Sequence, residues 1–304
     1  MNFPAVALEI SRAWSPARLL DYVELTKPKI AVLVLVTVGV GAAVSTGGRP
    51  DLWIVFHAVL GTALVASSAS ALNQWLERDT DARMRRTAGR PLPAARLHSV
   101  EVLAFGLALV AVGTAYLIWM VNFTTAMLGI LTWVLYVWIY TPLKTRTTLN
   151  TVVGAVPGAL PVVMGWTATG GELNSGAGIL FLIVFLWQFP HFMAIAWIYR
   201  QDYADAGMRM LPSVDPSGRL APITAVLHAL TLIPVSLAPA TASCHLAGLP
   251  YFFGALALGL GYLAFSVMFL IRTNETNARG LLRASLVYLP ALFLFLLLDL
   301  LPRV

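Results

Sequence analysis

The sequence predicts an all-α, polytopic membrane protein, a helical bundle of nine transmembrane helices, and three observations predict that class. First, 59% of its 304 residues are hydrophobic and only 11% are charged, whereas a soluble chain carries about 25% charged residues. So few charges cannot cover a water-exposed surface, which excludes a soluble globular enzyme and leaves the bilayer as solvent. Second, apolar stretches near the ~20 residues needed to cross a hydrocarbon core recur nine times. Third, the basic residues sort to alternate connections between those stretches.

The stretches run from Ile30 to Val44, Leu52 to Leu72, Val100 to Met120, Thr124 to Tyr140, Thr151 to Thr167, Ile179 to Tyr199, Leu220 to Pro239, Tyr251 to Ile271 and Leu281 to Leu301. Each is continuously apolar, so none has the alternation of a barrel strand. The 23 Gly and 18 Pro show no repeat, and Cys244 is the single cysteine. Collagen-like and disulfide-stapled classes are thereby excluded.

Eighteen of the twenty Lys and Arg lie on the side reached after an even number of crossings, leaving only Arg49 and Arg303 opposite. The positive-inside rule then places the N-terminus in the cytoplasm and the C-terminus outside. In a membrane protein a net charge of +6 reflects this sorting, and no nucleic-acid partner is expected. The first 28 residues lack the apolar core and small-residue site of a cleaved signal. Residues near Arg18, Leu19, Leu20, Tyr22 and Val23 are expected to form a short interfacial helix leading into Lys27-Pro28-Lys29. Residues 1–28 thus read as a cytoplasmic or interfacial segment, and 29–304 as a single transmembrane domain.

The connections after the second and sixth stretches hold six of the fourteen acidic residues and nine arginines, so chemistry belongs on that face. They lie four helices apart and leave the membrane on the same side, as a parallel internal repeat would have it.

The densest group is NQWLERDTDARMRRTAGRPLP, Asn73 to Pro93. If the second helix continues past the membrane boundary, Asn73, Glu77 and Asp81 form one oxygen-bearing stripe, rising about 6 Å per step. Mg²⁺ is typically held by one or two carboxylates, with water and substrate phosphate completing its shell, so such a stripe suits a cation brought with a phosphorylated ligand. Arg83, Arg86 and Arg90 follow at spacings of three and four, aligned to pair with phosphate oxygens. The alternative is a charged loop whose arginines only obey topology. In the second block, Tyr140 to Trp166, Lys144 and Arg146 either close over a diphosphate or anchor the helix ends. Gly154, Gly158 and Gly165 with Pro157 and Pro161 predict a kinked, closely packed fifth helix.

The third block, Trp187 to Pro212, places His191 and Asp202 eleven residues apart, on one helical face about 16 Å from each other. An imidazole at that depth either bonds a neighbouring hydroxyl or carbonyl, or serves as an axial ligand or acid–base group for a large apolar molecule. His57 and His228 read as packing residues. Asp299, near the outer end of the last helix, is expected to reach the interface.

Together these blocks resemble the intramembrane UbiA-type prenyltransferase superfamily over roughly Asp21 to Leu301. Asn73-x-x-x-Glu77-x-x-x-Asp81 with Met84-x-Arg86-Thr87-x-x-Arg90-Pro91 is similar to its first acidic motif. Tyr140 to Trp166, Trp187-Gln188-x-Pro190-His191-Phe192 and Asp202-Tyr203-x-x-Ala206-Gly207-x-x-Met210-Leu211-Pro212 resemble blocks of its haem branch. Relatives that prenylate small aromatics carry a second paired-Asp motif after the sixth helix, which this chain lacks, as the haem branch does.

The resemblance implies transfer of a farnesyl group from farnesyl diphosphate to a vinyl carbon of haem b in a bacterial inner membrane, with the active site facing the cytoplasm. It implies Mg²⁺ on Asn73, Glu77 and Asp81, diphosphate bound by Arg83, Arg86, Arg90, Lys144 and Arg146, and haem iron met by His191. Asp202 and Tyr203 would orient diphosphate, metal or haem. Membrane lipid is the surrounding partner, and haem-maturation or oxidase-assembly proteins are the protein partners to look for. A relative acting on a quinone precursor or chlorin ring is the competing reading, with the missing second motif against it. A transporter ranks third, because its polar groups should sit near the midplane and these gather at one boundary.

Overall fold

A computed structural model describes residues 16–241 and 246–300; Arg12, Cys244, Arg303 and the end of the ninth predicted stretch at Leu301 lie outside them. The described chain is helical without strands, and nine of its helices are long and apolar enough to cross a membrane. The expected interfacial helix is α1, Pro16–Thr26. It exposes Leu19, Leu20 and Val23 and buries Leu25 against Ala71, Leu97 and Val102. Arg96, from the connection just before Ser99, ties it down by pairing with both Asp21 and Glu24.

The crossing helices follow: α2 (Pro28–Ser45), α3 (Leu52–Asp81), α4 (Ser99–Met120) and α5, which begins at Phe123 and ends at Leu143. Next come α6 (Asn150–Ala168) and α7 (Ser175–Ile198), two short turns α8 (Arg200–Asp205) and α9 (Leu211–Val214), then α10 (Leu220–Leu237), α11 (Leu249–Ile271) and α12 (Glu275–Asp299). Side-chain oxygens of Asp51, Asn122, Asn174 and Asn274 cap α3, α5, α7 and α12 by accepting from their first backbone N–H groups.

Two departures from sequence expectation shape the site. The second crossing does not stop at Leu72: α3 has 30 residues, about 45 Å of helix against a hydrocarbon core of about 30 Å. Its last turns therefore rise out of the core while remaining packed inside the protein. In α5 the α-helix gives way to a π-helical stretch at Leu135–Tyr140, where the Thr141 N–H donates to the Tyr136 carbonyl. Such widened turns recur at functional sites.

The predicted close packing of the fifth crossing is seen in α6, the most buried of the nine. At its crossing with α2 the backbones nearly touch: a Cβ on Gly41 would lie 1.9 Å from the Val162 carbonyl oxygen, and one on Gly165 would lie 1.8 Å from that of Val38. His57 and His228 pack as expected, His57 against Trp53 and Tyr116, His228 stacked on Phe189. Asp299, half-buried at the end of α12, accepts from the Gly248 N–H.

Candidate active site

The start of α2 and the ends of α3, α5 and α7 lie at one end of the bundle, and the connections after α3 and α7 meet over them. Beneath is a small polar pocket of about 80 Å³, lined by Lys27, Asn73, Glu77, Asp81, Arg86, Arg90, Tyr136, Tyr140, Lys144 and Tyr203 with Met84, Met208 and Met210. Asn73, Glu77 and Asp81 share the inner face of α3 as the spacing predicts, and all three are buried.

Each member of the stripe meets a cation or hydroxyl from another element. Lys27 donates to Asn73 Oδ1 at 2.8 Å, and the Asn73 amide donates to Thr141 at 3.1 Å. The Lys144 ammonium lies 2.8 Å from Glu77, and Arg90 donates to Asp81 Oδ2 at 2.6 Å. Burial, then the nearby Arg90 and Lys144 charges, lower Lys27 to about 7. Burial also opposes the charge of Lys144, but the adjacent Glu77 carboxylate more than offsets it and holds that ammonium above the ordinary lysine range. Lys27 reaches its place through a left-handed backbone, φ 50°, a conformation disfavoured for a side chain with a Cβ and further restricted before Pro28.

The donor set fits a hard divalent cation. Asp81 Oδ1 is fully buried without a hydrogen-bond partner, a costly state for a carboxylate oxygen unless something binds it. Among the described residues no three His, Cys, Asp or Glu side chains converge. Two carboxylates and an amide therefore need a ligand's oxygens to complete a shell.

The two connections are clamped together above. Met84 packs with Ala196, Tyr203, Ala206, Met208 and Met210. Arg86 donates to the Tyr203 hydroxyl at 2.8 Å and lies 4.9 Å from the Tyr199 ring centroid. The helix ends at Asp81, so the helical alignment expected of Arg83, Arg86 and Arg90 does not hold. Arg86 turns to Tyr203, Arg90 to Asp81, and Arg83 is exposed and does not line the pocket. Arg146 is likewise exposed outside it. Asp202 is half-buried on α8, and the break at Tyr199 between α7 and α8 removes the face it was expected to share with His191.

Tyr136 and Tyr140 line a second space, an apolar cavity of about 320 Å³ reaching between α2, α3, α6 and α7. Glycines shape its wall: a Cβ on Gly154 would come within 2.5 Å of the Tyr140 ring, and one on Gly158 within 2.0 Å of Gln188 Oε1. His191 lines the cavity, stacked on Trp187 at 5.1 Å with Nδ1 2.8 Å from Ser285 Oγ. The sequence reading missed Lys27, Tyr136, Met84, Met208 and Met210 as site residues. Lys27-Pro28-Lys29, Tyr140 at the head of the second block, and Met84 and Met210 inside the quoted motifs gave a signal, and Tyr136 gave none.

The UbiA prenyltransferase family model matches residues 34–297. A protoheme IX farnesyltransferase of Solibacter usitatus is 45% identical over 92% of this chain and 98% of its own length, and one of Koribacter versatilis is 42% identical over 96% and 97%. Among solved structures, a digeranylgeranylglyceryl phosphate synthase superposes with a TM-score of 0.78 at 14% identity over 93% of this chain and 99% of its own. A UbiA homologue from Archaeoglobus fulgidus bound to DMAPP and Mg²⁺ gives 0.66 at 15% identity over 91% and 99%. The acidic stripe of α3, the roofing connections and the overall architecture thus find their place together: the chain belongs to the UbiA prenyltransferase family, among its protoheme IX farnesyltransferases.

Proposed function

We propose that this protein transfers the farnesyl group of farnesyl diphosphate to a vinyl group of haem b, giving haem O and diphosphate. The observation that carries this is the junction of the two spaces at Tyr136 and Tyr140, with a diphosphate-sized set of charges on one side and an apolar cavity bearing His191 on the other. The bond from farnesyl C1 to the bridging diphosphate oxygen breaks, and C1 bonds to the terminal vinyl carbon. Water then adds a hydroxyl at the carbon next to the porphyrin ring and loses a proton.

Asn73, Glu77 and Asp81 would hold Mg²⁺, which when bound supplies positive charge against the leaving diphosphate. Lys27, Arg86, Arg90 and Lys144 take the charge that develops on the departing oxygens. Arg83 and Arg146, exposed outside the pocket, draw the anion in through the field they add at its mouth. Tyr203 orients the diphosphate by holding Arg86, and Asp202, half-buried on the same short helix, is the carboxylate α8 adds there. Tyr136 and Tyr140, which line both spaces, would stabilise the allylic cation through their π systems, and the apolar wall keeps water from capturing it early. His191 meets the haem. The Lys and Arg distribution supports an inner-membrane protein with this site toward the cytoplasm.

Incubating the purified protein with haem b, farnesyl diphosphate and Mg²⁺, then weighing the extracted haem, tests the proposal directly. A Mg²⁺-dependent product heavier by one hydrated farnesyl group is expected; none, from folded protein that binds farnesyl diphosphate, would redirect the search to another acceptor ring.

Two further outcomes follow from the pocket as built. Glu77 and Asp81 are bridged by Lys144 and Arg90, which must turn to the diphosphate before the carboxylates can take a metal. Mn²⁺ should therefore bind weakly alone and at least about tenfold more tightly with diphosphate present, within the usual range of site coupling, as read by Mn²⁺ paramagnetic resonance. Tyr203→Phe keeps the ring near Arg86 and removes the 2.8 Å hydrogen bond. The KM for farnesyl diphosphate should rise roughly fivefold, about 1 kcal/mol, with kcat changing less in steady-state assays.

A further inference from the structure

We propose that Ser285 is a positioning residue that holds the His191 proton on Nδ1, so that Nε2 offers a lone pair to the cavity and selects porphyrins carrying a metal able to take an axial nitrogen. The inference rests on the reading above that this cavity receives haem. It follows from counting protons. The Ser285 hydroxyl lies 2.6 Å from the Leu282 carbonyl, which can only accept. A hydroxyl has one proton, and it is spent there. The 2.8 Å bond between Ser285 Oγ and His191 Nδ1 must then run from the ring N–H to the oxygen. A neutral imidazole protonated at Nδ1 carries its lone pair on Nε2, and Nε2 makes no hydrogen bond among the described residues.

The surroundings hold the ring in that orientation. The Trp187 indole, stacked on His191 at 5.1 Å and 23°, donates through Nε1 to the Ser285 backbone carbonyl at 2.8 Å. The Tyr262 hydroxyl donates to the Trp187 carbonyl at 3.2 Å. Helices α7, α11 and α12 thus fix one imidazole, and the serine at the centre is fully buried. His228 shows what packing alone looks like. Its Nδ1 turns to the carbonyl of Thr224 in its own helix, and neither it nor His57 lines the cavity. An imidazole whose far nitrogen is fixed by a neighbouring acceptor is the usual arrangement of a metal-binding histidine, and removing that acceptor typically costs 10–100-fold in affinity.

Ser285→Ala removes the acceptor while leaving the backbone carbonyl that holds Trp187, and the proton is then free to move to Nε2. The test titrates ferric haem b and metal-free protoporphyrin IX into the purified wild type, Ser285→Ala and Ser285→Thr, following the Soret band and the iron paramagnetic resonance. The wild type is expected to bind haem more tightly than the metal-free ring, with the spectrum of a nitrogen-ligated iron. In Ser285→Ala haem affinity should fall on the order of 10–100-fold toward that of the metal-free ring, whose own affinity is unchanged, and Ser285→Thr should restore ligation. An unaltered haem spectrum and affinity in Ser285→Ala would overturn the inference. So would an equal loss for both porphyrins, which marks a packing defect and decides the matter even where the threonine variant fails to fold. Haem O formation by the wild type, assayed in parallel, separates the two readings: product with no effect of Ser285→Ala defeats this inference alone, and no product defeats the assignment of the reaction.

Discussion

Asp81→Asn is expected to lower farnesyl transfer by about a hundred- to a thousandfold while leaving the protein as stable as before. The kinetic loss is that of a charge preorganised toward a leaving group, for which a single removed partner typically costs 10²–10³. The stability expectation comes from the geometry. Asp81 is wholly buried, one oxygen accepting from Arg90 at 2.6 Å and the other without a partner. A half-satisfied buried carboxylate is a burden on the fold, and its isosteric amide still accepts from Arg90 while shedding the charge. Arg90 is partly exposed, so water can serve its remaining donors. Glu77→Gln should behave differently, because the Lys144 ammonium beside it is almost enclosed and would be left without its counter-charge. That variant should lose both turnover and up to about 3 kcal/mol of stability. Turnover assays beside thermal unfolding of the two purified variants distinguish the cases, and near-normal turnover in Asp81→Asn would remove the carboxylate from the metal site.

That stripe was legible in the sequence because helical spacing is local: residues at i, i+4 and i+8 share a face wherever the helix continues. What hydropathy could not show was that α3 does continue, since the apolar run ends as Asn73 begins. It continues because Asn73, Glu77 and Asp81 turn inward to Lys27, Lys144 and Arg90 while Asp79 points outward, largely exposed. Lys27 itself was read only for topology, its partner lying 46 residues away across a left-handed turn. The π-helical stretch has no repeat to betray it. Pro142, lacking an N–H, leaves the Trp138 carbonyl without its usual donor, and the wider register moves each carbonyl's donor one residue on. The same limit explains Arg83 and Asp202: helical spacing was extended across Asp81 and Tyr199, where the helices end.

Gly165→Ala should be the most damaging methyl that can be added to the bundle, with Gly41→Ala close behind. At Gly165 the added carbon would sit 1.8 Å from the Val38 carbonyl oxygen and 2.7 Å from its carbon, and at Gly41 it would sit 1.9 Å from the Val162 carbonyl oxygen. These obstacles are backbone atoms, so no side chain can swing aside. The two helices must separate by more than an ångström along their crossing. Overpacking usually costs about 1–3 kcal/mol where side chains can adjust, and a backbone clash belongs at the upper end of that range or above it. Gly39, on the same helix two residues from Gly41, has nothing within 4 Å of its added carbon, so Gly39→Ala is the matched control and should be nearly neutral. The consequence reaches the chemistry, because α2 and α6 also wall the apolar cavity through Leu33, Val34, Thr37, Pro157 and Gly158. Spreading them widens the space that encloses the allylic chain and lets water reach the cation. Gly165→Ala protein that survives purification should therefore show a lowered unfolding midpoint and release farnesol from farnesyl diphosphate at the expense of haem O. Equal midpoints and equal product ratios for Gly165→Ala and Gly39→Ala would show that the crossing yields without cost and that its closeness guards nothing.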